Sequence, residues 1–328
     1  MRKQIGYVFL VAALAAAHGN AYSQHKSVDA YPTKPIRILV GFAPGGGSDL
    51  LSRLIGQKMS ERWGQAVVTD NRPGAGGTIA LDLAAKAAPN GYTLLVISGS
   101  QITNATLVTR VPFDIRTTYS PITQLTSQPY VLLVHPSVEA KTVKELVAYA
   151  KANPGRLNYA SSGTGSSAHL GMELFSALAH VKMVHVPYKG SGQALIDLIG
   201  GQVQLLLASA ISAAPNLKSG KVRALGVTSA KRSRNMPDLP TIAEAGVPGF
   251  DVTGWYGIVA PPATPRALVD KLNRELVTLI DDPSVEDKLA ADGAEAAPST
   301  PAQFQKTIRD EIDKWTRLVQ ANSIKLER

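Results

Sequence analysis

Ile36-Arg37-Ile38-Leu39-Val40-Gly41-Phe42-Ala43-Pro44-Gly45-Gly46-Gly47-Ser48-Asp49-Leu50-Leu51 decides how this chain is read. Its first five residues, apolar but for Arg37, have the length of a strand. After the glycines, Leu51, Leu54, Ile55 and Met59 recur at helical spacing as far as Trp63. Strand, glycine turn and helix in that order predict an α/β unit. The turn also has a chemical consequence. N–H groups at the start of a helix lack intrahelical partners and are backed by the positive end of the helix dipole, so such a turn receives anions. The segment has neither Gly-x-x-x-x-Gly-Lys-Ser/Thr nor Gly-x-Gly-x-x-Gly, so the nucleotide-specific forms are absent. Taken alone, it reads equally well as a tight turn in which Ser48 and Asp49 cap the helix.

Working outward, Gln65 to Thr69 predicts a second strand, Gly76 to Ala88 a second helix, and Thr93 to Ile97 a third strand ending at Ser98-Gly99-Ser100. A second unit starts at Val131-Leu132-Leu133-Val134. Its first helix opens with Thr142-Val143-Lys144-Glu145, a capping box, and stops at Asn153-Pro154-Gly155. A strand at Leu157 to Ala160 then leads through a small-residue turn, Ser161-Ser162-Gly163-Thr164-Gly165-Ser166, into a helix with Leu170, Leu174 and Leu178 on one face. This repeats the design of the first unit. Strands at Val184 to Val186, Val203 to Leu207 and Val222 to Val227, with a helix at Gln193 to Ile199, complete it.

From Gly254 to Val259 the pattern changes, and helices begin at Thr264-Pro265 and Thr300-Pro301, each Thr a natural N-cap before proline. Two helical segments cannot build a third domain and are expected to return over the first lobe. The expected lobes are therefore residues 31–130 plus 254–328, and residues 131–253. Both glycine turns lie at carboxyl ends of strands, where open α/β sheets bind ligands, so two matching turns imply one cleft.

Composition narrows the function. The 328 residues contain no cysteine, which excludes disulfides, thiolate nucleophiles, thiolate metal sites and a lipid-attachment cysteine. Arg2 and Lys3, an uncharged run from Ile5 to Ala17 and small residues up to Ser23 make residues 1–23 a signal peptide, cleaved after Ala21 or Ser23. The run is too short to span about 30 Å of hydrocarbon. The formal charge of +9 modestly favours anionic ligands. Its lysines and arginines are scattered, with Lys231-Arg232-Ser233-Arg234 the densest group, and aromatics make up 6%, so no nucleic-acid footprint is present.

Catalysis finds little support. His169 and Glu173, four apart on a helix, read as a surface pair, since no third ligand and no His-Glu-x-x-His accompany them. There is no Gly-x-Ser-x-Gly elbow, and Ser166 near His169 reads as a cap. No catalytic residue, metal or cofactor is expected. Tyr188 and Lys189 sit at the same strand edge as the turns, and Trp255 and Tyr256 either wall the cleft or pack at the crossing.

Together, Phe42 to Asp49, Asn71-Arg72-Pro73-Gly74-Ala75-Gly76-Gly77, Pro89-Asn90-Gly91-Tyr92-Thr93-Leu94, Ser161 to Leu170, Val186-Pro187-Tyr188-Lys189-Gly190 and Pro237-Asp238-Leu239-Pro240-Thr241 resemble the Bug-type receptors of tripartite tricarboxylate transporters over nearly the whole chain after the signal. The resemblance implies a two-lobed periplasmic binding protein fold of the second type, each lobe a doubly wound sheet flanked by helices, closing by a hinge. It implies a monomeric periplasmic receptor for a small organic anion, a mono-, di- or tricarboxylate or an aromatic acid. The partner is a membrane transporter or, in a rival reading, a sensor domain; a secreted hydrolase is the remote alternative.

In the ligand site the resemblance places Phe42, Pro44, Gly45, Gly46, Gly47, Ser48 and Asp49 opposite Ser161, Ser162, Gly163, Thr164, Gly165 and Ser166, the two loops pinching one carboxylate partly through ordered water. Ser98, Ser100, His169, Tyr188, Lys189, Ala208 and Trp255 join them as lining residues. Family members usually carry an aspartate within Gly201 to Gln204 and a polar residue at Ala208. Gln204 and Ala208 therefore suggest an uncharged far end and a ligand without an ammonium group.

Overall fold

The structure is a computed structural model that describes residues 30–109 and 111–324; the expected signal peptide lies outside the described residues. In chain order the strands are β1 (Ile36–Val40), β2 (Val67–Asn71), β3 (Thr93–Ser98), β4 (Ser120–Val134), β5 (Asn158–Ser161), β6 (Val184–Pro187), β7 (Leu205–Ser209), β8 (Arg223–Val227), β9 (Thr253–Ala260) and β10 (Glu295–Ala296). They build two sheets. The first runs β2-β1-β3-β9-β4, with β10 also on β4; the second runs β4-β7-β5-β6, with β8 on the other side of β4. β1, β2 and β3 are parallel, as are β5, β6 and β7, while β9 and β4 run against their neighbours.

Both faces of each sheet are covered, and the alternation of side chains along a strand divides the apolar residues between them. In the first lobe Ile38, Val40, Leu94 and Val96 pack under the helices Gly47–Trp63 and Arg266–Ile280, whereas Leu39, Leu95 and Ile97 face Phe304, Ile308 and Ile312. In the second lobe Leu132, Val134, Leu205 and Leu207 join one core, and Val131, Leu133, Leu206 and Ala208 the other.

One strand serves both sheets. Ser120 to Pro129 of β4 pair with β9, and Tyr130 to Val134 pair with β7 and β8. The sequence reading starts a strand only at Val131, whereas β4 begins at Ser120 and carries Pro121 and Pro129, which a regular ladder would not admit. The register instead shifts between Pro121 and Thr123 and again between Gln124 and Thr126, and such irregularities let a strand carry proline and polar residues. The chain crosses between the sheets near Tyr130 and again near Val252, and Thr228 ties the second crossing to the first. Its hydroxyl accepts from Tyr130 N at 2.7 Å and donates to Val252 O at 2.6 Å.

Several caps behave as local chemistry dictates, and Thr264 does not. Thr142 accepts from Glu145 N, and Thr300 with Gln303 completes a capping box. Thr264 turns back to donate to Pro261 O, which leaves Pro265 as the cap of Arg266–Ile280.

The last helix, Pro301–Ala321, departs from the expected cover of the first lobe. At 1.5 Å per residue it is about 30 Å long, enough to reach both lobes. Phe304, Ile308 and Ile312 pack in the first, and Trp315 is buried in the second beside Tyr130 and Val252. No helix among the described residues is long and apolar enough to cross a membrane.

Candidate ligand cleft

Four strands end at one place: β1 and β3 from the first lobe, β5 and β7 from the second. Each feeds a helix, and the N-termini of Gly47–Trp63, Gly99–Thr103, Ser167–Ala179 and Ala210–Lys218, with that of Ser191–Ile199 after β6, meet at a cavity between the lobes. The cavity is lined by Phe42, Gly46, Gly47, Ser48, Ser98, Ser100, Tyr130, Ser162, Ala168, Ser191, Leu207, Ser209 and Tyr256. None of these side chains carries a charge at neutral pH. Burial pushes the phenols of Tyr130 and Tyr256 far up, so both remain neutral donors.

The first turn is built to leave donors open. Asp49 Oδ2 accepts from Gly45 N at 3.0 Å and from Arg53 Nε at 3.1 Å, and Arg53 also pairs with its other oxygen at 2.9 Å. Burial raises this carboxyl, but the hydrogen bonds from Arg53 and Gly45 outweigh it and hold Asp49 below the usual range. Asp49 thus shapes the loop from behind. The helix cap is Gly46, whose lack of a side chain leaves the first-turn amides uncapped. Among the described residues the amides of Gly46, Gly47 and Ser48 take no acceptor, and neither does Ser98 Oγ, which is 3% exposed on the cavity wall.

The lobes touch at the mouth. Ala43 N donates to Lys189 O at 3.1 Å, and a Cβ added at Gly46 would lie 2.7 Å from Ser191 Oγ. Pro44 and Gly45 pack against Gly192 here, and Lys189 contributes its carbonyl while its side chain is exposed.

The second turn is more self-contained. Ser161 Oγ donates to Gly163 O and accepts from Gly163 N, Gly165 N donates to His169 Nδ1 at 3.0 Å, and Ser166 Oγ caps the helix at His169 N. Of this turn only Ser162 reaches the cavity wall. Thr164 and Gly165 turn their carbonyls toward the first lobe.

His169 is no surface residue. It is 4% exposed and stacks on His185 with ring centroids 3.9 Å apart, His185 in turn stacking on Tyr159. Glu173 accepts from the Tyr159 hydroxyl instead of pairing with His169, and His185 Nε2 meets Ser161 Oγ at 2.7 Å. The ring accepts from the Gly165 amide rather than activating Ser166. No group of three metal-ligating side chains exists among the described residues.

Burial, and then the neighbouring His185, lowers His169 from 6.5 to about 3, and burial lowers His185 to about 4. Below pH 6.5 the unfolded chain therefore binds protons that the folded one refuses. Stability is full above that value and falls as pH drops toward 4, by up to ~1.4 kcal/mol per pH unit for His169; the half-buried His185 adds less because solvent screens it. Urea melts between pH 7.5 and 4 test this. His169→Asn should flatten the curve, and equal slopes in the variant and the parent would refute a neutral buried pair.

Residues 51–324 match the family model described as tripartite tricarboxylate transporter family receptor. The chain belongs to that family. Among its relatives, BugT of Bordetella pertussis is 36% identical over 303 residues, 92% of this chain and 93% of that protein. Among solved structures, Rpa4515 of R. palustris with adipate superposes with a TM-score of 0.87 at 36% identity, covering 90% of this chain and 99% of that one. MatC of Rhodopseudomonas palustris with bound malate gives 0.82 at 33%, covering 88% and 100%. The fold is accordingly the two-lobed fold of the periplasmic binding proteins.

In this receptor the lining differs from the sequence expectation by single steps along two strands. Leu207 and Ser209 face the cavity, and Ala208, fully buried, points into the opposite core. Likewise Tyr256 lines the cavity, whereas Trp255 packs edge-on to Phe304 and donates to Glu311 Oε2 on the far side of the sheet. Tyr188 donates to Asp197 Oδ2 at 2.7 Å, away from the wall. Gln204 lies at the amino end of β7, where its Oε1 accepts from Asn158 N, so it has no bearing on the ligand's far end. Tyr130 and Ser191 were not anticipated. Ser209 carried a usable signal, since it stands at a strand end just before a helix, as Ser98 does.

Proposed function

We propose that this receptor, exported to the periplasm, captures a small organic carboxylate between its lobes and delivers it to the membrane components of a tripartite transporter, with no reaction at the site. The open amides of Gly46, Gly47 and Ser48 at the head of a long helix carry this reading, because buried donors of that kind favour an anion. The related structures hold adipate and malate, both carboxylates.

In this reading the first lobe is residues 31–130 plus 254–328 and the second 131–253. Gly46, Gly47, Ser48, Ser98, Ser100 and Ser162 contact the ligand with Tyr130, Ser191, Ser209 and Tyr256. Helix termini and hydroxyls, rather than ion pairs, hold the charge. A ligand ammonium would meet no carboxylate on this wall, which favours plain carboxylates over amino acids.

A thermal-shift series over mono-, di- and tricarboxylates, aromatic acids, acidic amino acids and uncharged solutes tests the proposal. A ligand at a hundred times its Kd adds about 2.7 kcal/mol to stability. Shifts with uncharged solutes and none with carboxylates would end the anion reading. Loss of carboxylate uptake on gene deletion would support delivery over sensing.

A further inference from the structure

The glycine segment Gly74 to Gly77 and the carbonyls of the second turn are not used by the cleft, yet they converge on one element. The short helix Gly99–Thr103 runs into a π turn at Asn104–Thr109 and presents its polar side to the second lobe. Thr103 Oγ1 donates to Gly165 O at 2.8 Å, Asn104 Nδ2 donates to Thr164 O at 2.6 Å, and Ser167 N donates to Ser100 Oγ at 3.2 Å. All three bonds join the lobes. Thr103 and Asn104 are almost fully buried, so water does not compete for them.

Two glycines clear the space for Asn104. Gly76 has a φ of 63°, and a Cβ there would lie 2.1 Å from the Asn104 side-chain carbon; Gly165 has a φ of 73°, and a Cβ there would lie 3.3 Å from Asn104 Cα. Across the same gap, a Cβ added at Gly163 would lie 3.9 Å from Gly76 Cα. Each lobe thus gives up side chains where the amide is clasped.

We infer that Thr103 and Asn104 are positioning residues that latch the closed cleft and hold the second turn in its ligand-binding shape without touching the ligand. The inference rests on reading the cleft as a two-lobed clamp. The bonds join protein to protein, so the latch forms in the free protein. Its effect on ligand is indirect: loss of the latch frees the Thr164 and Gly165 carbonyls and loosens the turn that carries Ser162.

The test uses the full-length mature protein with Thr103→Val and Asn104→Ala combined, and Thr103→Ser as the conservative control. Hydrogen exchange of the free protein reads the latch directly. The double variant should exchange its amides at 164–167 about tenfold faster or more, the scale of a lost buried hydrogen bond. Exchange in β1 and β5 should be unchanged, and Thr103→Ser should behave as the parent. With adipate and malate as probes, any that binds the parent should bind the double variant about tenfold or more weakly, through faster dissociation. Parental exchange at 164–167 in the double variant, or equal acceleration in β1 and β5, would overturn the latch. Failure of both acids to bind the parent would count against the carboxylate reading alone, since the exchange result stands without ligand.

Discussion

Gly47→Ala is expected to weaken carboxylate binding by about 100-fold, equivalent to ~2.7 kcal/mol, while the protein remains folded. A Cβ at this position would lie 2.3 Å from the Tyr256 hydroxyl and 2.4 Å from Ser209 Oγ. Ser209 belongs to the second lobe and Gly47 to the first, so the methyl group acts as a wedge in the closing cleft. Overpacking of this kind costs ~1–3 kcal/mol; the clash with Ser209 falls on closure, and that with Tyr256 falls within the first lobe. The same methyl group also crowds the open amides of the first turn. Calorimetric titration alongside a melt of the free protein separates the two contributions. Near-parental affinity would show that the ligand does not need this contact surface closed.

Trp315→Ala should cost ~3–5 kcal/mol of stability, the range for removing a large aromatic from a core. Trp315 is 1% exposed, packs in the second lobe with Leu318 and Val319 from the end of a helix whose start is rooted in the first, and donates through Nε1 to Glu311 Oε1 at 2.9 Å. Glu311 is itself 8% exposed; burial holds its carboxyl above the usual range, and Trp315, Lys314 and Trp255 only partly offset that. Its removal therefore leaves a cavity and an underpaired acid at once. Urea unfolding followed by tryptophan fluorescence and circular dichroism measures the loss. A change below ~1 kcal/mol would mean that the last turns of the helix do not share in the second core.

How much was legible depends on what sets each feature. The first unit was readable because strand, glycine turn and helix are local signals that agree with one another. The two turns and their convergence follow from the handedness and direction of parallel units. The misplaced lining residues have a different origin. Leu205-Leu206-Leu207-Ala208 is apolar throughout because both faces of β7 are buried. Such a run hides which residues face which side. The same holds for Trp255 and Tyr256, two large aromatics in neighbouring positions, of which one meets the cavity and the other Phe304. The stack of His169 on His185 joins residues from a helix and a strand and has no local signature at all. The first half of β4 mixes Pro121, Thr123, Gln124, Ser127, Gln128 and Pro129 with only two apolar core residues, so it carries no strand pattern, and a register shift makes room for Pro121.

That unbroken β4 governs how the molecule moves. A flexible tether would let the lobes swing in any direction. A strand hydrogen-bonded in both sheets, with Thr228 fastening the second crossing beside it, resists shear and leaves bending and twist about a narrow axis. Capture then travels along a single coordinate, like a book closing on its spine. Its end point is one shape, set by the way both sheets share the same strand.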